Sequence, residues 1–163
     1  MKGKRVDESR VFMAQVMNPQ DANPAGNVHG GVIMKLIDTA AGTVAIRHAR
    51  ANVVTASIDR LDFHRPVFIG DLLNLKASLN FAGRTSMEIG VHVEAENCFT
   101  GEVRHTSSAY LTFVALDTAG RPLEIPPLVL VTDDDRRRNQ EAKARREMRS
   151  QERLKERGQG DPK

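Results

Sequence analysis

The chain has one cysteine, one tyrosine and no tryptophan in 163 residues, and aromatic residues make up only 4% of it. A lone Cys98 cannot close an internal disulfide and has no metal-ligand spacing around it, which excludes a disulfide framework and a cysteine-based zinc site. A reducing cytoplasm is the expected compartment. No run approaches the ~20 consecutive apolar residues that a membrane-spanning helix needs, so membrane insertion is not expected. The first residues, Met1-Lys-Gly-Lys-Arg-Val-Asp7, carry charge with no apolar stretch behind them, and a signal peptide is not expected either.

What is present reads as one globular domain with an appendage: 40% hydrophobic and 28% charged residues. The net charge of +3 is unevenly spread. Residues 1–135 hold 13 Lys/Arg against 16 Asp/Glu, and residues 136–163 hold 11 against 5. The folded part is therefore mildly acidic, which argues against a whole-domain nucleic-acid surface. The basic tail has no interleaved aromatics for base stacking, so no specific nucleic acid is expected as a partner.

Residues 1–10 are polar and expected to fray. Val11–Val16 suits a short strand, and residues 17–29 form a loop broken by Pro19, Pro24 and Gly26. From Gly30 to about Ala49 the period is helical, with Ile33, Leu36, Ile37, Ala40, Ala41 and Val44 on one stripe. After Asn52 the period shifts towards two, giving strands over Val53–Asp62, Leu72–Phe81, Met87–Glu96 and His105–Leu116. One long early helix followed by four antiparallel strands predicts an α+β domain with the helix on one sheet face. Residues 136–158 are charged helix formers with pairs such as Glu141/Arg145 and Glu152/Lys155. Their apolar content is Ala142, Ala144, Met148 and Leu154, which predicts a frayed helix projecting from the domain.

The most informative stretch runs from Asp21 to Asp38. A turn-rich loop leads into Gly30-Gly31, an apolar helix begins, and two turns later comes the single acid Asp38. A helix start offers free N–H groups to a developing negative charge. Asp38 lies at the edge of the apolar stripe beside Met34, Ala41, Gly42 and Ala45, a setting that disfavours its charged form and suits a base. Loop and helix together read as a small hydrolytic site.

The layout resembles the hotdog fold, specifically the acyl-CoA thioesterases of the YciA and brain acyl-CoA hydrolase type. The matching stretches, in family order, begin with Asp21-Ala-Asn-Pro-Ala-Gly-Asn-Val-His-Gly-Gly31, Met34-Lys-Leu-Ile-Asp38, Ile46-Arg-His48 and Val53-Val-Thr-Ala-Ser57. They continue with Asp62-Phe-His-Arg-Pro66, Gly70-Asp71, Arg84-Thr-Ser-Met-Glu88 and Gly120-Arg-Pro-Leu-Glu-Ile-Pro-Pro127. The resemblance covers roughly residues 10–130 and implies a hotdog domain over 11–130, with 131–163 as a basic tail. It further implies an antiparallel sheet wrapped around one long helix, and dimers with active sites at the interface. Hexamers built as trimers of dimers are common in this branch.

By the same resemblance Asp38 is the catalytic acid, a general base on water or a nucleophile on the thioester carbon. Asn23, 15 residues earlier, matches a polar loop residue that holds the water or the thioester carbonyl. Asn-Pro is also a good turn former in its own right. The Gly30 N–H matches the donor to the thioester oxygen, although a glycine pair also eases a tight turn into a helix. Asn27, His29 and Gly31 are read as ordering the loop. Brain-type members carry His at position 29 and bacterial relatives often Phe, which argues against His29 as the base. Thr55 and Ser57 alternate on one strand face, with Thr55 the candidate hydroxyl near the water and β-propensity the competing explanation. Arg84, Thr85 and Ser86 match a contact to the CoA phosphates, with Arg60 and Arg65 weaker candidates. Solvated turn residues explain this trio equally well.

The activity implied is hydrolysis of acyl-CoA to free CoA and a carboxylic acid, with no metal or redox cofactor and with CoA as part of the substrate. A non-catalytic acyl-CoA sensor is the alternative, and it has no need of Asp38 and Asn23 together. A hotdog dehydratase would place an essential His opposite an acid, which this chain does not resemble. Acyl-pocket depth is set by side chains such as Met34, Ile37, Phe63 and Phe81.

Overall fold

The computed structural model describes residues 1–159, with the side chains of Arg60 and 157–159 outside the description. In chain order it contains β1 (Lys4–Arg5), β2 (Val11–Val16), α1 (Gly30–Ala49), β3 (Asn52–Phe63), β4 (Leu72–Ala82), β5 (Ser86–Glu96), β6 (Val103–Leu116), β7 (Leu128–Val129) and α2 (Asp133–Gln159). Five strands form one antiparallel sheet in the order β2-β4-β5-β6-β3, leaving β2 and β3 as its edges.

The sheet's two faces are covered by different kinds of helix. Helix α1 buries Ile33, Ile37, Ala40, Ala41, Val44 and Ala45 against the inner face, where Leu75, Ile89, Leu111 and Phe113 alternate inward from three adjacent strands. Small residues let the helix lie close: a Cβ on Gly42 would stand 3.6 Å from the Phe113 ring. His29 caps the start of α1 by accepting the Gly31 N–H at Nδ1 (2.9 Å). The helix ends at Arg50, in the left-handed region at φ 54°. Near that end His48 is fully buried, with Nε2 2.7 Å from the Pro126 carbonyl. Burial holds its pKa below the ordinary value, against the pull of that carbonyl.

Two terminal segments differ from expectation. Residues 4–5 do not fray but pair in parallel with Leu128–Val129, and Val6 and Ser9 are buried. Lys4 Nζ donates to the last carbonyls of α1, at 3.3 Å on Arg47 and 2.6 Å on His48, where a cation also suits the helix dipole. The charged C-terminal helix does not project. It begins with a reciprocal cap in which Thr132 Oγ1 accepts the Asp135 N–H and Asp135 Oδ2 accepts the Thr132 N–H (both 3.0 Å). Burial pushes the Asp135 carboxyl up, but the backbone N–H groups of Thr132 and Val131 outweigh it and hold it below its ordinary value.

Helix α2 then crosses the outer sheet face. Arg138 donates to Ser78 Oγ (2.8 Å), Asn139 to the Asn80 carbonyl (2.9 Å), and Ala142 is fully buried. Arg145 pairs with Glu88 at 2.7 Å rather than forming the expected helix pair with Glu141, which meets Arg137 instead. The Arg145 guanidinium also lies 3.7 Å from the centre of the Tyr110 ring. Arg149 reaches both Asp59 and Glu88. The seam is polar on both sides, and this is why apolar counting does not find it.

Candidate active site

The loop before α1 is tied down by its own polar groups. Asn23 Oδ1 accepts the N–H groups of Ala25 (2.9 Å) and Asn27 (3.2 Å), and the Asn23 N–H donates to the Asn27 carbonyl (2.7 Å). Gly26 completes this turn at φ 87°, a conformation that favours glycine. The His29 N–H reaches back to the Asp21 carbonyl (2.8 Å), and Val28 bonds to Val67 (2.9 Å) in the loop after β3. Asn23 is thus a turn former, as the Asn-Pro pair predicts. With its oxygen engaged twice, Nδ2 is the end left to donate to another partner.

Of the first N–H groups of α1, that of Gly31 is taken by the His29 ring. The Gly30 N–H has no protein partner among the described residues. The Phe63 ring stands over it, 3.5 Å from where a Gly30 Cβ would lie. The Asn27 backbone and the His29 ring and N–H are thus all engaged within the loop and the helix start. Phe63 closing over the helix start has no signal in the local pattern, because it comes from β3.

Asp38 lies two turns further on and is half-buried. Its Oδ1 accepts the Thr55 hydroxyl at 2.8 Å, so β3 fixes the carboxylate's orientation and leaves Oδ2 for a second partner. Ser57 does not share that face. A bulge between Thr55 and Ser57 sets Thr55 opposite Phe113, whose side chain is inward, and Ser57 opposite Thr112, on the outer face. The expected alternation fails because a bulge inserts one residue and leaves no mark in a two-residue period.

Gly30 and Asp38 are eight residues apart on one helix, which sets them about 12 Å apart along its axis. One chain therefore carries two separate parts: a donor-rich loop and helix start, and an acid with its hydroxyl. Met34 lies between them on the same face and is exposed. Ile37 is in the core, and Phe81 faces α2 with the Arg146 guanidinium 5.0 Å from its ring centre, so neither lies with Met34 and Phe63. Thr85 and Ser86 line a cavity between α2 and the sheet, whereas Arg84 is exposed and lies outside that lining. Arg65 is exposed in the loop after β3, and the side chain of Arg60 lies outside the described residues. Among the described residues no cluster of His, Cys, Asp and Glu is arranged to hold a metal ion, and no helix is long and apolar enough to cross a membrane.

Residues 25–101 match the family model described as Thioesterase superfamily. The chain is 38% identical over 142 residues to the cytosolic acyl coenzyme A thioester hydrolase of Rattus norvegicus, a match covering 86% of this chain and 37% of that protein. It thus spans little more than a third of the length of the curated relatives it first matches. An apo-hexameric acyl-CoA thioesterase superposes with a TM-score of 0.90 at 37% identity, over 93% of this chain and 97% of that one. The acyl-CoA hydrolase of Staphylococcus aureus, solved with butyryl coenzyme A, coenzyme A and coenzyme A disulfide, gives 0.87 at 35% identity, over 95% and 94% of the two chains. Mutants of that enzyme with one aspartate, one asparagine or one threonine changed to alanine have also been solved.

Proposed function

The chain belongs to the thioesterase superfamily and has the hotdog fold, and from this premise we propose that it hydrolyses acyl-CoA to free CoA and a carboxylic acid. The observation that carries the reading is the pair of separated parts on α1: a free Gly30 N–H at its start and Asp38 held by Thr55 two turns on. The three residues changed to alanine in the Staphylococcus aureus enzyme are an Asn, an Asp and a Thr spaced 15 and 17 positions apart, the spacing of Asn23, Asp38 and Thr55 here.

In this reading the thioester carbonyl takes hydrogen bonds from the Gly30 N–H and Asn23 Nδ2, where charge builds as the carbon becomes tetrahedral. Asp38 Oδ2 takes a proton from water as its oxygen bonds to the carbon. The C–S bond then breaks, the thiolate leaves with the electron pair and is protonated to CoA, and the acid is released. Direct attack by Asp38 through an anhydride uses the same geometry. No metal or redox group is required. Because the two parts sit about 12 Å apart within one chain, the complete site is assigned to a dimer that pairs one chain's Asp38 with its partner's loop. Hexamers as trimers of dimers are supported by the hexameric structural neighbour, and cytoplasmic placement by the cytosolic relative.

The test is release of free thiol from acyl-CoAs of two to eighteen carbons by the wild type and Asp38→Asn. Turnover is expected to fall by on the order of 10²-fold or more in a folded variant. Tight acyl-CoA binding by the wild type without turnover would replace the enzyme by a sensor.

A further inference from the structure

Three histidines lie together on the outer sheet face, apart from the residues assigned to the reaction. The rings of His92 on β5 and His105 on β6 are stacked, 4.4 Å between centres and 7° from parallel. His64, the residue after β3, adds its ring 5.5 Å from that of His105. His105 Nε2 lies 3.1 Å from the Ser107 carbonyl and 2.9 Å from Ser108 Oγ. A carbonyl only accepts, so this nitrogen carries the ring's proton. Two carboxylates and a lysine share the face. Glu94 accepts from His92 at 3.0 Å and from Lys76 on β4 at 2.8 Å, and Asp62 stands opposite Ser108 on β3. Towards α2, the cavity that His92 lines adds Arg10, Arg137 and Arg138, with Asp134 and Glu141 already in ion pairs with the helix arginines.

The cluster adjoins the loop that supports the donor side of the site. The His64 N–H donates to the Thr106 carbonyl (2.8 Å), next to His105. Just before His64, Phe63 stands over the start of α1 at Gly30. Just after it, the Val67 carbonyl accepts the Val28 N–H (2.9 Å) and Phe68 bridges to Asn27. Arg104, the neighbour of His105, holds the far end of the loop through Asp71 (2.5 Å). Residues 64–71 are thus clamped at both ends by the start of β6, and the Asn23 loop is bonded to them.

With neutral rings the face sets one cation, Lys76, against Glu94 and Asp62; with all three rings charged it sets four cations against the same two. Desolvation, followed by the neighbouring His92 and His64, holds the His105 pKa below its ordinary value, against the pull of the Ser107 carbonyl and Glu94. A lowered histidine pKa favours the closed form above the ordinary value, and that contribution is lost as the pH falls from there towards the lowered one. We propose that the stack is an acid-sensitive latch that positions the donors to the thioester carbonyl. Neutral rings close residues 64–71 onto β6; in mild acid their like charges part them and loosen the Asn23 loop and the Gly30 end of α1 together.

The catalytic consequence rests on the acyl-CoA reading above; the structural one does not. Hydrogen exchange of the full chain, read on peptides covering 21–31 and 63–71 and corrected for the intrinsic rate, tests the latch at about pH 5.5 and about pH 7.5, either side of the ordinary histidine value. Wild-type protection in both segments is expected to fall by roughly tenfold at the lower pH. His105→Gln, on an exposed residue, takes up no proton there and is expected to keep its protection. Thiol release measured alongside is expected to hold its kcat further into acid in His105→Gln than in the wild type. His92→Gln, on a half-exposed side chain, gives the same direction if His105→Gln melts early. Wild-type protection that does not change with pH, or that falls equally in both variants, overturns the proposal. No thiol release at any pH, with the exchange difference present, sinks the hydrolase and leaves the latch standing.

Discussion

At Gly30 two explanations compete, and they predict different outcomes for an added methyl. The φ of Gly30 is not in the left-handed region, and an added Cβ would touch nothing nearer than the Phe63 ring at 3.5 Å, an ordinary contact. The backbone does not need glycine there. Gly30→Ala is therefore expected to melt at the wild-type temperature or slightly above it, since alanine favours the helix by up to about 1 kcal/mol. With the thioester placed as proposed, beside the Gly30 N–H, the methyl would nevertheless crowd it, and kcat/KM is expected to fall by on the order of 10²-fold. Full activity would remove Gly30 from the site. Gly31 is a different case, because its Cβ would lie 3.0 Å from His29 Nδ1 and disturb the cap. Asp38 is legible in sequence because one acid on the small-residue flank of an apolar helix stands out. Phe63 and the bulge after Thr55 are not, because both are set by pairing with distant residues.

Among the elements, α1 begins and ends where its glycines and its period predict, and the four long strands differ by at most two residues at either end. Helix α2 is legible as a helix but not as a packed one. Its inward positions, Asp135, Arg138, Asn139, Ala142, Arg145 and Arg149, recur at helical spacing, yet only one is apolar. The decisive partner, Glu88, is 99% buried and lies on a strand 57 residues before Arg145. Burial works against the charge of Arg145, and the Glu88 carboxylate more than restores it, so its pKa is raised. Glu88→Ala leaves the Arg145 guanidinium against the sheet without a carboxylate and Arg149 with Asp59 alone, and is expected to destabilise the fold by about 3–5 kcal/mol. Brief trypsin treatment should then cut within α2 well before the sheet unfolds. A helix as resistant as in the wild type would show that the polar seam does not hold it.

For the molecule as a whole, the uneven charge of the chain becomes internal complementarity: part of the basic tail lies on the acids of the outer sheet face. The sheet also leaves the twelve-residue strand β3 at an edge, with Val54, Ile58 and Phe63 exposed along it. An edge of this length and apolarity invites pairing with another chain. Ile58→Asp is expected to shift the protein to monomers in light scattering and to abolish thiol release while Asp38 remains intact. Active monomers would place the whole site within one chain.

The short parallel ladder of β1 and β7 joins residues 124 positions apart, Lys4 to Leu128. Contacts spanning that much chain close late in folding, after the sheet has condensed, because the loop entropy must be met first. The same ladder is small and peripheral, so it is also the natural place for opening to start. When it opens, Lys4 leaves the end of α1 and the stretch leading into α2 loses its hold at once. Residues 4–5 and 128–129 thus open and close as one cooperative unit, and order at the N-terminal strand governs order in the stretch that leads into α2.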